Sequence, residues 1–272
     1  MPQVFFFPGI LGDVSALARF RDSFSGEINF ETVSYPSWQT MLRVGGGFET
    51  LVELACKDIL ALPPQRPLRL AGYSFGAVVA LALAMRLAAE GRKVVWLAVF
   101  DTDLEHYLGS PGRTAWASPT LGESVRLIRQ DGLTRASVHA AARVMGSLGI
   151  RAILLRLTTR RRAAPLPYGL PLPYRLPRRI SMQVQWTQRL DIMVAWLRAR
   201  TRKTLDIPVM LFRTADHPVT ASHDLGWFGV SPQIAVREVD GNHWTMFTRS
   251  HEPALTAIVI SAWLDDCEAG AL

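Results

Sequence analysis

The stretch from residue 68 to residue 87 constrains this chain most, because it joins an apolar run to a helical run through a Gly-x-Ser-x-Gly sequence. A strand, a tight turn and a helix in this order predict a nucleophile elbow. In such an elbow the serine lies at the tip of the turn with its Oγ exposed. Gly72 and Gly76 carry no Cβ, so the strand and helix backbones can approach closely. Ser74 is therefore the candidate nucleophile.

Apolar runs alternate with helical patterns at both ends of the chain. Strands are predicted at 4–7, 28–33, 68–71, 94–100, 207–213 and 233–239, and helices at 14–24, 48–62, 77–87 and 253–264. This alternation predicts an α/β fold with a mostly parallel, doubly wound sheet. Ligands of such sheets bind outside the carboxyl ends of the strands. Ile10, Ser74 and Asp101 each follow a predicted strand, which favours one shared site.

The pattern changes between about residues 104 and 205. Helices are predicted there at 118–131, 134–148, 150–162 and 181–202. A doubled Pro-Leu-Pro-Tyr sequence at 165–174 favours extended polyproline geometry. We interpret this segment as a helical lid, which would exclude water and shape a pocket. Residues 1–272 are then one domain, with a core at 1–103 and 206–272 and a lid insertion at about 104–205.

The chain is basic, with 30 Lys and Arg against 23 Asp and Glu and a formal net charge of +7. Arginines at 160–162, 175, 178 and 179 flank the proline-rich run. Two interpretations of them stay open, a solvated charged loop and a docking patch for an acidic protein partner. Nucleic-acid binding is disfavoured, because no base-stacking or groove-reading motif accompanies the arginines.

The cysteine count and the apolar runs bear on location. Cys56 and Cys267 provide neither a disulfide framework nor a metal-ligand spacing, so we expect no metal site and a reducing, cytoplasmic compartment. The apolar N-terminus lacks the basic region and cleavage site of a signal peptide. No uncharged run of about 20 apolar residues occurs, so no membrane span is predicted.

A serine nucleophile needs a base within hydrogen-bond reach, and that base needs an orienting acid. In elbow hydrolases the histidine follows the last strand, which is the position of His243. Two acids compete, since Asp101 ends the strand after the elbow helix and Asp216 ends the next sheet strand. The remaining histidines are expected to be solvated or structural: His106, His139, His217, His223 and His251.

An oxyanion hole needs two N–H donors near the serine. Phe75 follows Ser74, so its backbone N–H is the first candidate donor. The second donor comes from a loop after an early strand in this class of hydrolase. Ile10 is the candidate there and Leu11 is the next, although an ordinary strand-to-helix turn is the alternative interpretation.

Six segments carry a family resemblance. They are Phe5-Phe6-Phe7-Pro8-Gly9-Ile10-Leu11-Gly12, Leu70-Ala71-Gly72-Tyr73-Ser74-Phe75-Gly76, Phe100-Asp101-Thr102, Leu211-Phe212-Arg213, Gly226-Trp227 and Gly241-Asn242-His243-Trp244-Thr245-Met246. Together they resemble the thioesterase domains that end non-ribosomal peptide and polyketide synthases, over nearly the whole chain. The resemblance implies an α/β-hydrolase fold, with Asp101 as the acid, Ser74 as nucleophile, His243 as base and Phe75 and Ile10 as oxyanion donors.

The resemblance also implies a function. It implies a thioesterase that cleaves an acyl or peptidyl thioester from a carrier protein through an acyl-Ser74 intermediate, in natural-product and antibiotic biosynthesis. Release by hydrolysis, by cyclisation or by transfer to an amine or alcohol stays open. No cofactor of the chain itself is implied, because the partner carrier protein brings the phosphopantetheine arm.

Two other functions stay open, a serine esterase or amidase for a free small molecule and a non-catalytic hydrolase-like binding protein. The chain departs from the family pattern at Ala77, where a second glycine is usual, and at Asn242, where aspartate often precedes the histidine. It begins at its first predicted core strand without a carrier segment, so we expect a free-standing enzyme.

Overall fold

Six strands and eight helices make up the described part of the chain, which in this computed structural model comprises residues 2–24, 26–108, 178–200, 204–218 and 221–268. The strands are β1 Gln3–Phe7, β2 Asn29–Thr32, β3 Leu68–Tyr73, β4 Val94–Phe100, β5 Val209–Thr214 and β6 Ile234–Val239. The helices are α1 Ser15–Asp22, α2 Trp38–Val44, α3 Phe48–Ala55, α4 Lys57–Leu60, α5 Phe75–Ala89, α6 Leu104–Leu108, α7 Arg178–Ala199 and α8 Glu252–Glu268.

The strands form one sheet in the order β2-β1-β3-β4-β5-β6, and every neighbouring pair is parallel. The register aligns Tyr73 with Phe100 and Phe100 with Phe212. The carboxyl ends of β3, β4 and β5 therefore lie side by side. This arrangement confirms the α/β prediction and brings the residues after these three strands to one edge of the sheet.

Aromatic side chains fill the core on one side of this sheet. The Phe20 ring packs at 4.9 Å between centroids against Phe247 and at 5.5 Å against Phe100, while Phe100 stacks on Phe212 at 4.9 Å. Burying each such ring contributes about 1.5–3 kcal/mol relative to exposure. Because Phe247 lies four residues after His243, this cluster fixes the loop that carries His243.

The two elbow glycines make room for different neighbours. A Cβ on Gly72 would lie 2.5 Å from the backbone nitrogen of Ala77, so β3 and α5 approach as closely as the sequence predicts. A Cβ on Gly76 would overlap the carbonyl oxygen of Phe7. Gly76 therefore serves the contact with the end of β1 rather than with β3, a refinement of the expectation that both glycines separate strand from helix.

Four elements differ from the sequence expectation, and one of them is the short helix α6, which was not predicted. The helix predicted at 48–62 is interrupted at Cys56, a fully buried residue with a φ of −105° and a ψ of 10°. The strand predicted from residue 207 begins at Val209, since Pro208 has no N–H to donate. Helix α2 was not expected, although Ser37 caps its Thr40 N–H at 3.1 Å and Gly45 ends it with a φ of 73°.

The backbone divides into two compact units, one of residues 1–35, 52–105 and 200–272 and the other of residues 36–51 and 106–199. Within the second unit, Trp38 Nε1 donates to Ser181 Oγ at 3.0 Å, and the rings of Phe48 and Trp196 lie 5.1 Å apart. The sequence did not indicate that residues 36–51 group with the insertion. The interpretation of residues 104–205 as a lid stays a prediction.

Several expectations for the insertion fall on residues 109–177. The helices at 118–131, 134–148 and 150–162, the doubled Pro-Leu-Pro-Tyr sequence and the arginines at 160–162 and 175 all lie outside the described residues. The helix expected at 181–202 is present as α7. None of the helices that the structure describes is long and apolar enough to cross a membrane.

Gly72→Ala is expected to destabilise the protein by about 1–3 kcal/mol or more, because the new Cβ meets the Ala77 backbone, which has no flexible end to move aside. Urea unfolding measures this change. Gly229→Ala is the matched control, since its Cβ meets only a carbonyl oxygen at 3.6 Å, an ordinary contact. Equal stabilities of the two variants would contradict the close packing at the elbow.

Candidate active site

Ser74 occupies the tip of the elbow between β3 and α5. Its φ of 55° and ψ of −121° place it outside the regions that L-residues favour. Neighbouring backbone hydrogen bonds hold it there, from Ser74 N to the Phe100 carbonyl at 3.3 Å and from Ala77 N to the Ser74 carbonyl at 3.1 Å. Strain of this kind persists only where the surroundings enforce it, and it projects the side chain from the sheet edge.

His243 links Ser74 to Asp101. Its Nε2 lies 3.2 Å from Ser74 Oγ, and its Nδ1 lies 3.0 Å from both Asp101 Oδ2 and the Asp101 carbonyl oxygen. A carboxylate and a carbonyl only accept hydrogen bonds, so Nδ1 carries the proton. In the neutral ring the lone pair on Nε2 then faces the serine hydroxyl, and the imidazole is oriented to accept its proton.

The Asp101 carboxylate is buried, with 1% of the residue exposed. Besides the His243 contact, Asp101 Oδ1 accepts from Thr214 N and from Thr214 Oγ1, each at 2.7 Å, and contacts His217 Nε2 at 2.9 Å. Burial alone would raise the pKa of this carboxyl, but the bonds from His243, Thr214 and His217 outweigh burial and hold the pKa well below its usual value. Asp101 is therefore an anion throughout the neutral range.

The two competing acids have different surroundings. Asp101 follows β4 with a φ of 47°, and its backbone N–H donates to the Phe212 carbonyl at 2.8 Å. Asp216, beyond the end of β5, is exposed. The structure thus brings Asp101 to His243, as the family resemblance implies, while the catalytic roles themselves stay predictions.

His217 has a position that the sequence did not reveal. We expected a solvated or structural histidine, but its Nε2 contacts the same carboxylate that holds His243, and its side chain is only 12% exposed. The sequence places His217 just after a predicted strand, but only the sheet order shows that the carboxyl end of β5 adjoins that of β4. Among the other histidines, His106 and His223 are exposed, His251 is half-buried, and His139 lies outside the described residues.

The loop that carries His243 is held from two sides. The Tyr73 hydroxyl donates to the His243 carbonyl, and the two rings lie 5.0 Å apart at 31°. Asn242 Oδ1 accepts from the N–H groups of Trp244 and Thr245, each at 3.0 Å. An amide oxygen suffices for this turn, which accounts for asparagine where the family often has aspartate. Tyr73, the second residue of the elbow sequence, was not anticipated as a contact of the histidine loop.

The segment after Asp101 is fixed by a distant turn. Trp227 Nε1 donates to the Thr102 carbonyl at 2.7 Å, and Leu104 N donates to the Leu225 carbonyl at 2.9 Å. Leu225 has a φ of 50°, and both Leu225 and Trp227 are fully buried. These contacts explain how the Gly226-Trp227 segment of the resemblance, far along the chain, supports the end of β4.

The predicted oxyanion donors lie in segments that meet. Phe75 is the first residue of α5, where the helix dipole favours negative charge. Ile10 and Leu11 are the central residues of a turn closed by the bond from Gly12 N to the Gly9 carbonyl at 2.8 Å. That turn follows β1, whose end touches α5 at Gly76. The donation by Phe75 and Ile10 to an oxyanion stays a prediction.

A comparison with models of protein families shows which family this chain is related to. Residues 2–261 match the model of the thioesterase domain. The chain belongs to the thioesterase domain family. The match spans nearly the whole chain, and it confirms the resemblance inferred from the sequence. No match to a curated protein was found.

Solved structures of related thioesterases share the fold. The NocB thioesterase domain from the nocardicin cluster is 17% identical, with a TM-score of 0.57 and coverage of 96% of this chain and 93% of that one. The RedJ thioesterase from the prodiginine pathway of Streptomyces coelicolor is 19% identical, with a TM-score of 0.56 and coverage of 95% and 85%. These likenesses support the α/β-hydrolase fold.

A larger relative is AB3403, a four-domain nonribosomal peptide synthetase whose structure holds AMP and glycine. It is 15% identical to this chain, with a TM-score of 0.62 and coverage of 96% of this chain. The chain spans 19% of the length of that synthetase. The similarity therefore covers nearly all of this chain and a part of the synthetase that is about the size of one domain.

Asp101→Asn is expected to lower kcat about 10³- to 10⁴-fold, because an amide in place of the carboxylate disturbs the tautomer of His243 and cannot balance an imidazolium. Asp216→Asn should leave kcat within about 2-fold, since Asp216 is exposed. Steady-state hydrolysis of an acyl thioester measures both variants. A large loss in Asp216→Asn alone would make Asp216 the acid.

The Asp101 carboxyl should also make the free energy of unfolding depend on pH. The pKa of its carboxyl is lower in the folded chain than the ordinary value of about 4, so the unfolded chain takes up the proton first as pH falls. The stabilisation is fully present above that ordinary value and is lost as pH falls toward the folded value. Urea midpoints of the native chain and of Asp101→Asn should therefore approach each other progressively as the pH falls below about 4. A constant difference over this range would contradict the lowered pKa.

Proposed function

We propose that this chain is a serine-dependent thioesterase that cleaves an acyl or peptidyl thioester from a carrier protein through an acyl-Ser74 intermediate. The observation that carries the proposal is the continuous hydrogen-bonded series from Ser74 through His243 to Asp101. Membership of the thioesterase domain family supports the reaction class. Ser74 is the nucleophile in this proposal, His243 the general base and Asp101 the orienting acid.

In the first half-reaction, Ser74 Oγ attacks the carbonyl carbon of the thioester while its proton passes to His243 Nε2. The backbone N–H groups of Phe75 and Ile10 would stabilise the resulting oxyanion. The tetrahedral intermediate collapses by breaking the carbon–sulfur bond. His243 gives the proton to the leaving thiolate, which departs as the free thiol, and the acyl group stays on Ser74 as an ester.

In the second half-reaction, a nucleophile with a removable proton attacks the acyl-Ser74 carbonyl. His243 accepts that proton and then returns it to Ser74 Oγ as the carbon–oxygen bond breaks. Water would release a free acid, an internal amine or hydroxyl would release a ring, and an external amine or alcohol would give a transfer product. The Asp101 carboxylate stabilises the imidazolium that forms in each half-reaction.

The proposed partner is an acyl or peptidyl carrier protein. Its phosphopantetheine arm would present the thioester, so the chain would need no cofactor of its own. The net charge of +7 suits an acidic partner. A similar fold in proteins named for nocardicin and prodiginine biosynthesis supports a role in natural-product biosynthesis. A cytoplasmic location, expected from the two cysteines, belongs to the same proposal.

Intact-protein mass spectrometry tests the central step. The native chain, mixed with an acyl-pantetheine thioester loaded on a carrier protein, should gain the mass of the acyl group, and the released thiol should appear in at least the same amount as the acylated chain. Ser74→Ala should gain no mass, because the acyl acceptor is missing. Ser250→Ala is the matched control, an exposed serine outside the site that should acylate like the native chain.

The other outcomes decide between the alternatives. Serine-dependent cleavage of simple esters without turnover of the carrier-bound thioester would favour an esterase or amidase for a free substrate. Full biological activity of Ser74→Ala would favour a binding protein. The mass of the released product distinguishes hydrolysis from cyclisation and transfer.

A further inference from the structure

We propose that His217 is a positioning residue of this site, which holds the Asp101 carboxylate from the side opposite to His243 and sets how strongly it binds the base. This inference rests on the proposed function, because it concerns the same reaction. It extends the series of hydrogen-bonded groups from three residues to four.

The geometry separates the two carboxylate oxygens of Asp101. Oδ2 contacts His243 Nδ1 at 3.0 Å, while Oδ1 contacts His217 Nε2 at 2.9 Å and accepts both Thr214 bonds at 2.7 Å. The donors on Oδ1 lock the rotation of the carboxyl group. With Oδ1 locked, Oδ2 stays directed at the histidine that faces Ser74.

The protonation of the His217 ring follows from its neighbours. A carboxylate is an acceptor only, so His217 Nε2 must carry a proton to bond Asp101. Its Nδ1 lies 3.8 Å from Asp103 Oδ2. A doubly protonated His217 would thus bridge two carboxylates, one of which also holds His243. His217 can therefore donate to Asp101 either as a neutral ring or as a cation.

Local sequence holds His217 in this place. Pro218 follows it and biases the His217 backbone to an extended conformation. Thr214, the last residue of β5, donates to the same oxygen from three residues away. The end of β5 thus supplies three contacts to Oδ1, two from Thr214 and one from His217.

A hydrogen-bond donor on Oδ1 has an electrostatic effect on the carboxylate that a side chain which only filled space would not have. It draws electron density away from the carboxylate and weakens its attraction for the protonated form of His243. Loss of the donor leaves the two Thr214 bonds on Oδ1, so the carboxyl group should be held less firmly, which lowers kcat. It should also strengthen the remaining bond to a charged His243, which moves the acid limb of the pH–rate profile to higher pH.

The test compares His217→Ala and His217→Gln with the native chain, using an acyl thioester of N-acetylcysteamine between about pH 5.5 and pH 9.5. His217→Ala should lower kcat about 10- to 100-fold, the usual scale of one hydrogen bond to a charged group, with KM within about 2-fold. Its acid limb should move to higher pH. His217→Gln keeps an N–H donor and should recover most of kcat, with a smaller shift of the limb.

His223→Ala is the matched control, because His223 is an exposed histidine in the same connection and should behave as the native chain does. Thermal unfolding checks that each variant is folded. If His217→Ala does not fold, His217→Gln decides, and a Gln variant with kcat below about one tenth of native overturns the inference. An unchanged kcat and acid limb in folded His217→Ala also overturn it.

A readout without turnover keeps this inference distinct from the proposed function. Nitrogen-15 NMR of the imidazole rings should find His217 Nε2 protonated, and Asp101→Asn should move that resonance. An unprotonated Nε2 would overturn the inference even in an active enzyme. Thioester turnover that persists in Ser74→Ala would instead refute the proposed function, and this inference with it, whatever His217 does.

Discussion

The buried carboxylate of Asp101 is the interaction on which the site depends. A buried anion is costly unless hydrogen bonds satisfy it, and here the donors come from two loops that the sequence separates widely. His243 belongs to the loop after β6, while Thr214 and His217 belong to the end of β5. The Asp101 carboxylate therefore connects the carboxyl ends of β4, β5 and β6. Each donor is positioned by its bond to this one acceptor.

Close packing at the elbow supplies the second constraint. Ser74 holds an unfavourable φ of 55°, and the cost is offset where backbones meet with no room for a Cβ, at Gly72 against Ala77 and at Gly76 against Phe7. Tyr73, between Gly72 and Ser74, reaches the His243 carbonyl through its hydroxyl. The elbow thus positions His243 as well as Ser74, because the residue before the serine anchors the loop that carries the histidine.

The apolar pattern of the sequence predicted those strands and helices whose residues are buried along most of their length. The apolar run at β4 and the helix at α5 are buried along most of their length and were both predicted. Helix α2 was missed because its apolar residues occupy only two turns, too few for a clear period. The interruption at Cys56 was missed because a fully buried cysteine fits a continuous helix equally well in sequence. His217 was missed because a histidine after a strand looks the same whether it faces water or a carboxylate.

The sequence by itself determined the strand, turn and helix around Ser74, the alternation of strands and helices, and the position of His243 after the last strand. These features are encoded by contiguous residues, so short-range sterics and apolar periodicity suffice to predict them. Only the tertiary structure decided that Asp101 rather than Asp216 faces His243, and that His217 shares the carboxylate. Those contacts join residues 142 and 116 positions apart. Their geometry exists only once the parallel sheet has brought the ends of β4, β5 and β6 to one edge.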